Sequence, residues 1–257
     1  MARALTRKPF TGSRLIRTLA DLGVVQTAEP DGAFAEKLAQ WIDFGSAITL
    51  SAVHGASPGL AAQARTEKDP AACQAIVQEF ARKRLALESS IKARGANHPG
   101  KTCMELPTPK PGAPLKDAPA YEAFRRFHFS RQRELEGGVR SLRAKVREQL
   151  AKAAPALQQL LDLDAAMEEV LSERESKWLA TVPALLERRF VQLRQVHRQT
   201  LLATQQEDRP QLWMRPGAWL ALFCQELEAA LLSELDVRLL TTVGLIEAMN
   251  NQKTKPR

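Results

Sequence analysis

Residues 121–152, YEAFRRFHFSRQRELEGGVRSLRAKVREQLAK, are the stretch that decides the fold class. Their last five apolar positions are spaced four, three, four and four residues apart, which is typical of a helix with one buried seam. These positions are Leu135, Val139, Leu142, Val146 and Leu150. Asp117 and Pro119, just upstream, are residue types that begin helices. We therefore predict one helix to about residue 152, roughly 45 Å long at 1.5 Å per residue.

The other apolar residues also recur at helical spacing, in segments separated by turn residues. The segments are 12–22, 31–48, 70–94, 155–203 and 217–249. Asp69 and Pro70 mark the start of the third segment, and Thr181 and Pro183 predict a kink or restart in the fourth. No run alternates with period two between turn signals, so no strand is predicted. The predicted fold is all-α, with an N-terminal helical unit and a long-helix antiparallel bundle or hairpin.

The predicted domain boundary lies where the composition changes, between Gly95 and Pro119. Six prolines and three glycines fall within these 25 residues, and they favour extended chain over regular helix. The predicted division is an N-terminal helical unit, a Pro-rich linker or loop, a long-helix bundle and a polar tail. These parts are residues 12–94, 95–118, 119–249 and 250–257.

The overall composition excludes several classes of protein. The chain has 257 residues, enough for one or two domains. Its 44% apolar and 26% charged residues argue against a mainly disordered protein, and its 5% aromatic content argues against an all-β fold. The net charge of +8 suits an acidic partner, which could be nucleic acid, an anionic membrane surface or an acidic protein. The alternative is that the net positive charge only increases solubility.

Charge is segmented along the second half of the chain. Residues 121–154 carry nine basic and four acidic side chains, whereas residues 156–177 carry six acidic and two basic ones. This pattern favours an antiparallel hairpin with complementary surfaces, and nucleic-acid binding by the basic helix is the alternative. The candidate contacts for a partner or nucleic acid are Arg125, Arg126, Arg131, Arg133, Arg140, Arg143, Lys145 and Arg147.

Residues 95–102, GANHPGKT, match the phosphate-loop pattern G-x-x-x-x-G-K-[ST]. The matching positions are Gly95, Gly100, Lys101 and Thr102. A phosphate loop needs a buried strand before it and a helix after it, whose first N–H groups hold the phosphates. Here a charged helical pattern precedes the motif and a proline-rich segment follows it. We interpret the match as chance and predict no cofactor.

The usual metal-binding signatures are missing from the sequence. His98 and Cys103 share one loop, but no tight C-x₂-C or H-x₃-H pair accompanies them. The chain also lacks H-E-x-x-H and the bundle motif E-x-x-H. The acidic residues Asp162, Asp164, Glu168 and Glu169 are expected on a charged outer helix face. We predict no metal site, no catalytic residue and no enzymatic activity.

Aromatic residues and arginines alternate at the start of the long helix. A stack of bases on the aromatic rings is one interpretation of this segment, and a core stripe is the other. Tyr121, Phe124 and Phe127 fall on one helical face, so core packing is the favoured interpretation. His128 is expected to pack in the bundle, whereas Phe129 lies off the stripe.

Localisation is inferred from the apolar windows and the cysteines. The uncharged window 44–64 contains glycines and a proline and is rich in alanine, so a transmembrane helix is not expected there. The N-terminus is basic but lacks the apolar stretch of a secretory signal. Three scattered cysteines, Cys73, Cys103 and Cys224, fit a reducing compartment. We expect a cytoplasmic protein.

Several motifs resemble those of an uncharacterised proteobacterial family of all-helical proteins of about 250 residues. The motifs lie at residues 13–22 (SRLIRTLADL), 34–44 (FAEKLAQWIDF), 161–165 (LDLDA) and 182–190 (VPALLERRF). The resemblance covers nearly the whole chain and transfers no catalytic residue. The resemblance implies that family members are often encoded beside a proton channel of the flagellar-stator or TolQ type and an OmpA-like peptidoglycan-binding protein.

The expected function is that of a non-enzymatic cytoplasmic interaction or adaptor protein. Long amphipathic helices would bind a partner helix or self-associate. The resemblance implies a role as an accessory to an envelope complex of a proton channel and an OmpA-like protein. The alternative is a nucleic-acid-binding protein that uses the basic helix 121–152. Contact with a membrane surface through the basic face is a further alternative.

Overall fold

The computed structural model describes residues 14–21, 44–55, 69–92, 106–109 and 119–252. Within these ranges the regular elements are helices, and none of the described residues lies in a strand. The helices are α1 (Arg14–Asp21), α2 (Phe44–Gly55), α3 (Pro70–Lys92), α4 (Tyr121–Ala153), α5 (Gln158–Leu179), α6 (Val182–Thr204) and α7 (Trp219–Asn251), with 3₁₀ turns at Pro155–Leu157 and Pro210–Leu212. The predicted all-α class is confirmed.

The chain divides into two compact units that are each discontinuous in sequence. The first unit comprises Met1–Glu29, Ile91–Arg133 and Ala180–Val237. The second unit comprises Pro30–Ser90, Glu134–Leu179 and Arg238–Arg257. The composition-based boundary at residues 95–118 stays a prediction, because only residues 106–109 of that segment are described, as non-helical chain.

The first unit is built around a cluster of aromatic rings. The ring of Phe223 lies 5.0 Å from that of Phe190 and 5.2 Å from that of Phe124 in edge-on geometry. Tyr121 joins this cluster at 5.6 Å from Phe190 and donates its hydroxyl proton to the carbonyl oxygen of Pro183. Phe127 is also buried, so the core interpretation of the aromatic stripe is confirmed.

A buried polar group lies within the same unit. His128 is fully buried, with its Nε2 2.7 Å from Glu234 Oε1. Gln132 Nε2 donates to the other oxygen of Glu234 at 2.7 Å. Each oxygen of the Glu234 carboxylate thus has a side-chain partner, and the burial of His128 confirms that it packs inside the bundle.

The second unit contains the predicted apolar seam of α4. The five seam residues, Leu135, Val139, Leu142, Val146 and Leu150, are all buried. α3 begins as predicted at Pro70, where Asp69 Oδ1 accepts hydrogen bonds from the backbone N–H groups of Ala71 and Ala72 at 3.0 and 3.1 Å. Among the apolar residues of α3, Ile76 and Phe80 are buried, but Leu85 is 63% exposed and lies outside the core.

α4 and α5 form a helical hairpin joined by the turn Pro155–Leu157. Opposite charges meet across it, since Arg143 and Arg147 of α4 both contact Asp164 of α5. These two contacts are of the kind expected if the basic and acidic segments form a hairpin with complementary surfaces. α2 packs against the α5 helix in the same unit.

Candidate binding groove

A cavity of about 500 Å³ opens on the second unit between three helices. Its walls are residues 136–143 of α4, 160–176 of α5 and 238–248 of α7. We call this cavity the groove. Its volume lies within the range of small-molecule pockets, and its elongated walls also suit a partner helix.

The wall of the groove is largely apolar. Val139, Leu163, Met167, Leu171 and Leu245 contribute to the lining. They are there because the helical repeat turns the apolar face of each helix toward the shared interior of the unit. The groove thus offers side-chain-sized apolar surface that a ligand would remove from water.

Arginines of α4 and acidic residues of α5 form ion pairs with one another beside this wall. Arg143 binds Asp164 through two nitrogens, with Nη2 2.6 Å from Oδ1 and Nε 2.9 Å from Oδ2. Arg147 places Nη1 2.8 Å from Asp164 Oδ2 and Nη2 2.6 Å from Glu168 Oε2. Burial opposes the charge of Arg147, but hydrogen bonds to Asp164 and Glu168 outweigh it and raise its pKa. These two arginines are therefore already engaged by acids.

A second charged pair lies on the α7 side. Arg238 Nη1 is 3.2 Å from Glu175 Oε1, and the Arg238 side chain is only 7% exposed. Burial raises the pKa of Glu175 above its ordinary value, against the opposing effect of the Arg238 charge. Among the described residues, Arg238 Nε finds no hydrogen-bond partner although it is shielded from solvent. The pair thus leaves one buried donor of Arg238 unused.

The arginines expected from the sequence to form one basic face are distributed over both units. In the first unit, Arg125 and Arg126 are exposed and contact Glu122, and Arg133 is exposed. Arg131 is 2% exposed, and its guanidinium carbon lies 5.2 Å from the ring centre of Phe127. Its burial within the unit removes it from the outer surface of α4.

The predicted contact residues that lie in the second unit are engaged by acids. Arg140 is exposed and contacts Glu136 at 3.0 Å. Lys145 Nζ is 2.5 Å from Glu79 Oε1, and this hydrogen bond lowers the pKa of Glu79. Arg143 and Arg147 share Asp164, as described above. Of the eight predicted contacts, Arg143 and Arg147 therefore share one buried carboxylate, and Arg125 and Arg126 both contact the exposed Glu122.

The acidic residues of α5 do not all lie on an outer face. Asp162 and Glu169 are exposed as expected. The expectation is wrong for Asp164, which is 9% exposed, and for Glu168, which lines the groove. They turn inward because the arginines of α4 on the facing side of the hairpin compensate their charge.

Sequence reasoning did not identify Glu175 and Arg238 as site residues. Arg238 had one available signal, since it is the single basic residue in the 33 residues of α7. A lone arginine inside an apolar helix indicates a specific buried partner. Glu175 had no comparable signal, because α5 is rich in acidic residues.

Several sequence expectations lie outside the described part of the structure. The phosphate-loop match at residues 95–102 and the pair His98 and Cys103 are not described, nor is the side chain of His54. The described residues contain no group of three His, Cys, Asp or Glu side chains placed to hold a metal ion. None of the described helices combines the length and apolar character needed to cross a membrane.

Comparison with known proteins places the chain in a family without assigning it an activity. No curated protein and no solved structure matches it. The family model described as "Protein of unknown function (DUF3348)" matches residues 1–251. The expected resemblance to an uncharacterised family is thereby confirmed, and the chain belongs to the DUF3348 family.

Proposed function

We propose that this chain is a non-enzymatic cytoplasmic interaction protein that binds an amphipathic helix of a partner protein in the groove. The observation that carries the proposal is the open, largely apolar cavity of about 500 Å³ between α4, α5 and α7. A cavity of this kind holds the apolar anchors that a helix presents at i, i+3, i+4 and i+7. The sequence resemblance supports a partner within an envelope complex of a proton channel and an OmpA-like protein.

The charges around the groove support a protein partner over a nucleic acid. The lining includes three arginines (Arg140, Arg143 and Arg238) and four acids (Glu136, Asp164, Glu168 and Glu175). A nucleic-acid site needs an excess of uncompensated positive charge along the path of the phosphates. Mutually paired charges beside apolar side chains instead match a helix with one apolar face and mixed charges at its edges.

The substitution Gly244→Leu is expected to fill the groove without disturbing the fold. Gly244 lines the groove, and a Cβ built on it has nothing within 4 Å. Gly244→Leu should place its side chain in the cavity, and leucine is a better helix former than glycine by about 0.8 kcal/mol. Gly137→Leu is the matched control, because Gly137 is also exposed, open around its Cβ and inside a long helix, but does not line the groove.

The test is affinity purification of the tagged wild type and both variants from the native host, with and without nuclease. We expect a defined protein to copurify with the wild type and Gly137→Leu and to be lost from Gly244→Leu. Equal recovery with all three proteins would contradict the groove as the partner site. Loss of every copurifying component on nuclease treatment would instead favour the nucleic-acid alternative.

Self-association is distinguished by the same variants. In sedimentation experiments, the purified wild type and Gly244→Leu should have the same oligomeric state, because the proposed occupant is another protein. An oligomer of the wild type that Gly244→Leu dissociates would identify the occupant as a second copy of this chain and would contradict the proposal.

A further inference from the structure

We propose that the outer face of helix α6 binds an anionic lipid surface. The outer face consists of the exposed residues that recur along the solvent side of the helix, which are Ala184, Arg188, Val191, Gln195, Arg198 and Leu202. This inference goes beyond the proposed function, because it concerns the first unit and makes no use of the groove.

The helical repeat separates this outer face from the buried face of α6. The large residues Leu186, Phe190 and Leu193 are buried in the first unit. Residues of the outer face are spaced four, three, four, three and four positions apart, so they lie along the opposite side of the helix. From residue 184 to residue 202 this line is about 27 Å long at 1.5 Å per residue. The outer face is therefore long enough to lie along a flat surface.

Aliphatic side chains are exposed on the outer face. Val191 is 56% exposed and Leu202 is 80% exposed. One exposed aliphatic residue is ordinary on a protein surface. Here two of them share a line with Arg188 and Arg198, and basic and apolar side chains are the two residue classes that bind a helix to a membrane interface. Contact with such an interface would remove both aliphatic side chains from water.

The arginines of the outer face have no acidic partner. Arg188 and Arg198 are exposed, and neither forms an ion pair or a side-chain hydrogen bond within the described part of the chain. Arg189, at the side of the helix, is by contrast bound to Glu226 at 2.7 Å. Glu187 is the single acidic residue among the 23 of α6, and it does not belong to the outer face. The outer face thus presents two uncompensated positive charges.

The net positive charge of the chain belongs entirely to the first unit. That unit contains 20 basic and 12 acidic residues, whereas the second unit contains 17 of each. Only part of this excess belongs to α6, which has four arginines and one acid. An extended anionic surface attracts the sum of such charges, since each lysine or arginine near it strengthens binding about fivefold.

A lipid surface fits these features better than a nucleic acid or an acidic helix does. The phosphates of a nucleic acid would engage the arginines but would leave Val191 and Leu202 in water. An acidic helix would cover the outer face, but it would meet mainly the charges of α6, whereas most of the excess lies elsewhere in the unit. Lipid phosphates accept hydrogen bonds from arginines, while aliphatic side chains reach the apolar region below the headgroups.

The test is cosedimentation of the full-length protein with lipid vesicles. One preparation is phosphatidylcholine alone, and the other contains about 30% phosphatidylglycerol, which gives the surface a negative potential. We expect the wild type to bind the anionic vesicles at least about tenfold more tightly than the neutral ones. This preference should fall when the salt concentration is raised to about 0.5 M, because salt screens the attraction.

Variants of exposed residues assign the binding to the outer face. The double variant Arg188→Gln, Arg198→Gln should lower the partition coefficient for anionic vesicles about 25-fold, which is about fivefold for each arginine. Leu202→Gln should lower it about fivefold and leave its salt dependence unchanged, because this variant removes an apolar contact and no charge. The matched control is Lys152→Gln, Lys177→Gln, which removes two positive charges from the second unit at side chains that are 74% exposed. The control should bind like the wild type.

The outcomes are independent of those expected for the groove. Gly244→Leu should bind anionic vesicles like the wild type, whether or not it loses the copurifying protein. Equal binding of the wild type to both kinds of vesicle overturns the lipid inference, and so does an equal loss of binding in the double variant and its control. Binding of labelled RNA or of an acidic protein that the double variant loses, without binding of the wild type to anionic vesicles, would assign the outer face to that ligand and overturn the inference.

Discussion

Arg143 and Asp164 face each other across the α4–α5 hairpin and form a two-point ion pair with N–O distances of 2.6 and 2.9 Å. Both side chains are less than 10% exposed. Arg147 contacts the same carboxylate from one helical turn away, so Asp164 is the shared acceptor of two arginines. Both of these arginines of the hairpin therefore share this buried carboxylate.

Replacement of this carboxylate should be severely destabilising. Asp164→Ala leaves two shielded arginines without their shared acceptor, and breaking a buried pair from one side costs about 3–5 kcal/mol. We expect the free energy of unfolding to fall by this amount in urea denaturation followed by tryptophan fluorescence. Glu122→Ala is the control, because its ion pair with Arg125 is exposed and should be worth less than about 1 kcal/mol. Similar decreases in the free energy of unfolding for both variants would show that the buried ion pairs of Asp164 contribute no more than an exposed one.

The helices could be predicted from the sequence because their signals are local. The spacing of the seam residues in α4 and the cap at Asp69 each depend on residues close together in the chain. The restart predicted at Thr181 and Pro183 is the start of α6 at Val182. Local patterns of this kind determine which face of a helix is apolar and where it begins.

The groove could not be predicted, because its residues come from three distant segments. The acidic repeat of α5 indicates a charged face, but only the position of α4 shows that Asp164 lies inside and Asp162 outside. The exposure of Leu85 has the same origin, since a stripe in sequence does not show how far the neighbouring helices cover it. Arg238 becomes a site residue through Glu175, which is 63 positions earlier in the chain.

Adjacent glycines in α4 should respond differently to alanine. Gly137 is exposed, and a Cβ there meets nothing within 4 Å, so Gly137→Ala should raise the free energy of unfolding by about 0.8 kcal/mol through helix propensity. At Gly138 a Cβ would lie 2.7 Å from Cδ2 of Leu87, so the leucine must shift. We expect Gly138→Ala to gain less than Gly137→Ala or to lose stability. Denaturation of both variants checks this order, and equal gains would mean that Leu87 moves without cost.

The cap of α3 should contribute measurably to stability. Asp69 Oδ1 accepts two backbone N–H groups of the first turn, which otherwise lack partners in the helix. Asp69→Ala should lower the free energy of unfolding by about 1 kcal/mol, whereas Asp69→Asn keeps an acceptor oxygen and should lose only a small part of it. Chemical denaturation of both variants measures the difference. Equal losses would assign the effect to the carboxylate charge rather than to capping.

Tyr121 provides a test of the first unit in alkaline solution, because it is the single tyrosine of the chain. Burial, followed by the nearby charge of Glu187, raises its pKa well above the ordinary value of 10.0. The native protein should therefore show no tyrosinate absorbance at a pH where the urea-unfolded chain is already ionised.

The same shift predicts how stability depends on pH. Because the pKa of Tyr121 is higher in the folded state, the unfolded state releases this proton first as the pH rises above about 10. The contribution to the free energy of unfolding is fully present below that pH and declines above it. Tyr121→Phe should remove this component of the decline and, through loss of the hydrogen bond to Pro183, lower stability at neutral pH by about 1 kcal/mol. An unchanged alkaline slope in Tyr121→Phe would contradict the assignment of the decline to this phenol.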